Sequence, residues 1–142
     1  MSRTPRCEVY IDGASRGNPG PAGVGVVFLA DDGSVLHQLS KPVGHTTNNV
    51  AEYLALVYAL QTALQRGCRQ VMVKTDSELL ARQISGRYRV RDAELIRLHG
   101  LAMHLGEGFE RWQVTHAPRA QHAQADRLAG RAADGRPSPP TA

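Results

Sequence analysis

Among the 13 Asp and Glu residues of this 142-residue chain, four stand out by position: Asp12, Glu52, Asp76 and Asp126. Asp12 and Asp76 each follow a short run of alternating, strand-like residues, and Asp126 falls near the start of the last helical stretch. Glu52 is the only charged residue between Val50 and Leu60, in a segment otherwise apolar or aromatic. A buried, unpaired carboxylate costs several kcal/mol or stays neutral, so Glu52 asks for a cationic partner. Four carboxylates brought together repel unless a divalent ion neutralises them, and an all-oxygen donor set suits Mg²⁺ or Mn²⁺. Such a cluster predicts two-metal phosphodiester hydrolysis. Each acid also has a simpler use. Asp12 could form a turn, Asp76 cap a helix, Asp126 favour a helix N-terminus and Glu52 pair with an arginine. Spacing alone leaves these uses open.

The elements that must position these residues follow from periodicity. Residues 7–12 alternate and meet Gly13, predicting a first strand that ends at Asp12. After a glycine-rich turn at 13–20, residues 22–29 and 35–43 read as two more strands, joined by the Asp31-Asp32-Gly33 turn. Residues 48–66 carry helical spacing and are closed by Gly67. A strand at 70–75 ends at Asp76, with helices at 78–85 and 93–105, a last strand at 111–115 and a last helix at 121–133. A three-strand meander followed by alternating helices and strands implies a mixed sheet with helices packed on it.

Composition bounds the class. At 142 residues one domain can bury a core unaided. Hydrophobic residues at 42% and charged residues at 21% exclude a disordered chain, and no stretch is apolar enough to span a bilayer. Lys and Arg outnumber Asp and Glu by 17 to 13, which leans toward a polyanionic partner such as nucleic acid. The N-terminal residues show no signal-peptide pattern, so a cytoplasmic location is expected, and with it two free thiols at Cys7 and Cys68. The expected organisation is a tail at 1–6, a domain at 7–134 and a disordered Pro-rich tail at 135–142.

The segment Tyr10-Ile11-Asp12-Gly13-Ala14-Ser15-Arg16-Gly17-Asn18-Pro19-Gly20 resembles the opening motif of the type 1 ribonuclease H family. Thr46-Thr47-Asn48-Asn49-Val50-Ala51-Glu52 is similar to its substrate loop and glutamate helix, and Thr75-Asp76-Ser77 to its third acidic motif. Thr115-His116-Ala117-Pro118-Arg119 with Ala125-Asp126-Arg127-Leu128-Ala129 resembles its C-terminal motif. The four motifs stand in family order over residues 7–133. The resemblance implies an α/β, ribonuclease H-like fold: a five-stranded mixed sheet, three strands antiparallel and two parallel, with helices on both faces. It implies an endonuclease that cuts the RNA strand of RNA/DNA hybrids, leaving 5′-phosphate and 3′-hydroxyl ends. Asp12, Glu52, Asp76 and Asp126 would hold two Mg²⁺, with Mn²⁺ as a substitute, and His116 would shuttle protons or help release product. Gly13, Asn18, Thr47, Asn48, Asn49 and Ser77 would contact substrate, the asparagines in the minor groove where 2′-hydroxyls mark RNA, and Thr47 at a DNA phosphate. A monomer with no obligate protein partner and no membrane contact is expected.

Two departures matter. Larger members carry a basic protrusion where this chain has only Gly86-Arg87-Tyr88-Arg89-Val90-Arg91-Asp92, whose arginines could contact phosphates or simply form a solvated turn. His122 stands where the motif more often has asparagine, which puts loop geometry and a substrate contact in question. The competing readings are a same-fold nuclease acting on double-stranded RNA and a catalytically silent hybrid-binding module.

Overall fold

Alternation carries the strands further than turn residues suggest, and the sheet is built from five of them in a computed structural model that describes residues 6–136. They are β1 (Arg6–Ser15), β2 (Gly20–Leu29), β3 (Val35–Thr46), β4 (Gln70–Thr75) and β5 (Arg111–His116). The helices are α1 (Asn48–Gln65), α2 (Glu78–Ile84), α3 (Ala93–Gly106) and α4 (Ala123–Ala133). The sheet order is β3-β2-β1-β4-β5, with β1, β2 and β3 antiparallel and β1, β4 and β5 parallel. This is the expected mixed five-stranded sheet.

Three expected boundaries move. β1 does not end at Asp12: Gly13, Ala14 and Ser15 continue the ladder against Val24, Gly23 and Ala22, and Arg16 N–H donates to the Pro21 carbonyl at 2.7 Å to close the hairpin. Backbone pairing outlasts the turn residues there. β3 runs to Thr46 rather than residue 43, absorbing an irregular register opposite Ala22 and Gly23. The last helix begins at Ala123, after a 3₁₀ turn, Arg119–His122, which Pro118 enters with its ring-restricted φ of −57°.

The pleat sends alternate residues to two buried faces, so the strands bury apolar side chains on both. Val9 and Ile11 join Val24, Val26 and Phe28 beneath Leu56 and Leu60 of α1. Tyr10 and Val27 face Leu128 of α4 on the other side. Gly25 lets α4 lie close: a Cβ there would collide with the Ala125 carbonyl and the Ala129 nitrogen. Gly67 closes α1 as expected, at φ +79°, its N–H donating to the Leu64 carbonyl at 3.1 Å.

The thiols are not free. Cys7 and Cys68 form a disulfide with Cα atoms 6.0 Å apart. The α1 crossover returns the chain to β4 beside β1, and Cys68, two residues before β4 begins and three before Cys7's register partner Val71, comes close enough to bridge to Cys7. Of the expected end segments, residues 1–5 and 137–142 lie outside the described residues. Arg6 already belongs to β1, and Gly135 and Arg136 donate to the Ala132 and Arg131 carbonyls, capping α4.

Candidate active site

Parallel pairing of β1 with β4 ends at Ile11 opposite Thr75, so Asp12 and Asp76 each sit one residue beyond the last pair, side by side. Glu52 reaches them because β1 and α1 touch at Gly13, where any Cβ would overlap the backbone of Ala51 and Glu52. Through that contact the Gly13 N–H donates to Glu52 Oε1 at 2.6 Å. The cap of α2 is supplied by Ser77, whose Oγ accepts from the Leu80 N–H at 3.1 Å, so Asp76 is free of that duty. One carboxylate oxygen from each of Asp12, Glu52 and Asp76 lies within 4.8 Å of the others.

Asp12 and Glu52 are 4% and 5% exposed. Burial, then the Glu52 and Asp76 charges, push the Asp12 carboxyl up to about 9. Burial and Asp76 push Glu52 up to about 8 against the opposing Gly13 hydrogen bond. Asp126, in the first turn of α4, lines the same cleft and its charge adds to the pressure on Asp12, but it stands outside the close group of three carboxylates. Its Oδ1 accepts from Arg119 at 3.3 Å, and a second Arg119 nitrogen stands 3.8 Å from Asp76. Arg119 thus lies over the acids as the local cation, with its side chain 76% exposed. Two carboxyls driven toward their protonated forms by burial and mutual repulsion, in an all-oxygen set, fit a divalent cation that would replace those protons.

These acids line an open cleft of about 370 Å³ together with Gly13, Asn48, Ser77 and Arg119. Asn18 Oδ1 accepts from the Asn48 N–H at 2.9 Å, and Thr47 Oγ1 caps α1 by accepting from the Val50 N–H at 3.3 Å. Asn48 and Asn49 open the first turn of α1 and are exposed beside the cleft. His116 is exposed at the end of β5 and opens on a neighbouring groove rather than lining the cleft. His122 is 1% exposed and edge-on to Tyr10, ring centroids 5.0 Å apart, which removes it from any substrate contact. Its nitrogens lie near the backbone of Ala117 and Ile11 but outside hydrogen-bonding geometry. Arg119 is a site residue to which the sequence motifs attach no role; its signal is a cation seven residues before Asp126.

The strand order 3-2-1-4-5, with acids converging from a strand, a crossover helix, the next strand's end and the far-face helix, defines the ribonuclease H-like class. A family model described as reverse transcriptase-like matches residues 10–132. A protein of Halobacterium salinarum named ribonuclease HI is 43% identical over 91% of this chain, and a ribonuclease H of Bradyrhizobium sp. is 32% identical over 91% of this chain and 90% of its own length. The crystal structure of ribonuclease H1 from Halobacterium salinarum superposes with a TM-score of 0.88 at 42% identity, covering 92% of this chain and 98% of that one. The compost-derived LC11 ribonuclease H1, solved in complex with an RNA/DNA hybrid, gives 0.86 at 40% identity, covering 91% of this chain and 97% of that one. The chain belongs to the type 1 ribonuclease H family. It spans 65% of the Halobacterium relative's length and 35% of that of a 44% identical bifunctional protein of Mycobacterium tuberculosis.

Proposed function

We propose that this chain is an endonuclease that hydrolyses the RNA strand of RNA/DNA hybrids, leaving 5′-phosphate and 3′-hydroxyl ends. The observation that carries the reading is the convergence of Asp12, Glu52 and Asp76 within 4.8 Å in an open polar cleft. The hybrid-bound LC11 relative supports the substrate. Asp12, Glu52, Asp76 and Asp126 would hold the divalent ions, Mg²⁺ with Mn²⁺ as substitute. When bound, the ions supply activation of the attacking water and neutralisation of the leaving oxygen.

The chain's own residues do the rest. The Gly13 N–H fixes Glu52 Oε1 at 2.6 Å, orienting that carboxylate toward Asp12 and Asp76. Asn18 holds the first residue of α1, so the exposed Asn48 and Asn49 are presented together to the minor groove, where 2′-hydroxyls distinguish RNA from DNA. Thr47 contacts a DNA-strand phosphate, and Gly13 and Ser77 border the path of the cut strand. His116, exposed beside the cleft, shuttles protons or eases departure of the new phosphate end. The protein acts as a monomer with no obligate protein partner, in the cytoplasm; light scattering and cell fractionation test these points. No helix among the described residues is long and apolar enough to cross a membrane.

The deciding experiment offers end-labelled RNA/DNA hybrid, double-stranded RNA, double-stranded DNA and single-stranded RNA, with Mg²⁺ or Mn²⁺. The expected outcome is cleavage of the hybrid's RNA strand alone, reduced by a factor on the order of 10³ in Asp76→Asn, which still binds hybrid. Cleavage of double-stranded RNA with the hybrid left intact would move the substrate assignment to that duplex. Hybrid binding without cleavage by either protein would favour the silent module.

A further inference from the structure

A second groove, of about 200 Å³, runs between α2 and β5 and is lined by Glu78, Arg82, Ser85, Arg87, Thr115 and His116 among others. It adjoins the acid cleft. Ser77, which lines the cleft, precedes Glu78, and His116 is the register partner of Thr75, the residue before Asp76. The charges in this groove are not equivalent. Arg82 is fully engaged, with two nitrogens at 2.7 and 2.6 Å from Glu78 Oε2 and its guanidinium 5.3 Å from the Tyr88 ring centroid. That pair leaves Glu78 offset. The hydroxyls of Ser85 and Thr115 are directed at the carbonyls of Arg82 and Val73. Arg87 is exposed and has no ion-pair partner among the described residues.

The backbone that carries Arg87 is tied down. Its N–H and that of Tyr88 both donate to the Arg82 carbonyl, at 2.8 and 3.1 Å. Buried Gln83 donates to the Arg89 carbonyl at 3.3 Å and accepts from the Tyr53 hydroxyl at 2.6 Å. An exposed, unpaired guanidinium on a tied-down backbone, at a groove that also carries charged and hydroxyl side chains, suits a phosphate, which accepts two parallel N–H bonds from such a fork. Arg89 and Arg91 belong to the same turn but do not line the groove.

We propose that Arg87 anchors a backbone phosphate of the bound duplex at this groove, beside His116 and outside the catalytic cleft. The inference rests on the hybrid-cleavage reading and adds to it a second anchoring point. A phosphodiester of either the RNA or the DNA strand has the required chemistry.

The test measures hybrid cleavage between 50 and 200 mM salt, with single uncharged methylphosphonates walked along the RNA strand and, separately, the DNA strand. Arg87→Ala should raise KM roughly fivefold to tenfold with kcat at saturation retained, and lower the salt slope by about one. One methylphosphonate away from the scissile position should weaken the wild type and leave Arg87→Ala indifferent; the strand on which it falls identifies the source. Arg87→Lys should recover part of the loss, and Arg111→Ala, at the opposite end of β5, should behave as wild type. An Arg87→Ala protein with the wild-type salt slope and the wild-type response to every methylphosphonate overturns the proposal and leaves hybrid cleavage standing. A wild type that cuts no hybrid overturns the reading beneath it.

Discussion

Glu52 is the residue at which sequence and site agree most directly. A lone acid in an apolar helix announces an unmet charge, and its closest neighbours prove to be Asp12, Asp76 and one backbone N–H, with the Arg119 charge a smaller influence. The raised carboxyls set a sign for pH. Folded Asp12 and Glu52 keep protons up to about 9 and about 8, protons that the unfolded chain releases near pH 4. Their contribution to metal-free stability is therefore present below about pH 4 and lost as pH rises through the folded values. The metal-free Tm should show this downward slope, and Glu52→Gln should flatten it. Metal binding should release protons at pH 7, measurable as a buffer-dependent heat in calorimetry, and release fewer above about pH 9. His122 acts with the opposite sign. Burial pushes its imidazole down, so its contribution is lost as pH falls below about 6.5, and His122→Asn should remove that acid limb from the Tm profile. Arg119 was not legible as a site residue because an exposed arginine in a loop carries no periodicity; only the turn after Pro118 aims it at Asp76 and Asp126.

Helices and strands were legible where period and burial coincide, as in α1, which buries Leu56, Leu60 and their neighbours against the sheet. Ends were less so. Gly13 reads locally as a turn former, whereas pairing with β2 keeps it in β1 and its missing side chain serves the contact with α1. Such close approaches depend on which element lands opposite, information that lies far away in the chain. They are testable through two glycines of opposite surroundings. Gly25→Ala drives a methyl into the α4 backbone and should cost about 1–3 kcal/mol in urea denaturation. It should also slow cleavage, because Asp126 rides on the displaced helix. Gly100→Ala, in α3 with nothing within 4 Å of the new methyl, should stabilise by about 0.5–1 kcal/mol and leave activity unchanged.

Over the molecule, the mixed five-stranded sheet was implied by the family resemblance, but neither its strand order nor the Cys7–Cys68 link was, since compartment arguments pointed to free thiols and only the folded α1 crossover brings the pair together. A bridge closing 61 residues should stabilise by about 4 kcal/mol on the chain-entropy account, so a thiol reductant should lower Tm by on the order of 10 °C without dissolving the fold. The same link alters what one backbone break does. Asp12 and Glu52 lie within the closed loop, Asp76 and Asp126 beyond it. A protease nick in the exposed turn at residues 31–33 would therefore leave two pieces tethered, with all four acids in a single particle that migrates as one band on a non-reducing gel and as two once thiol is added.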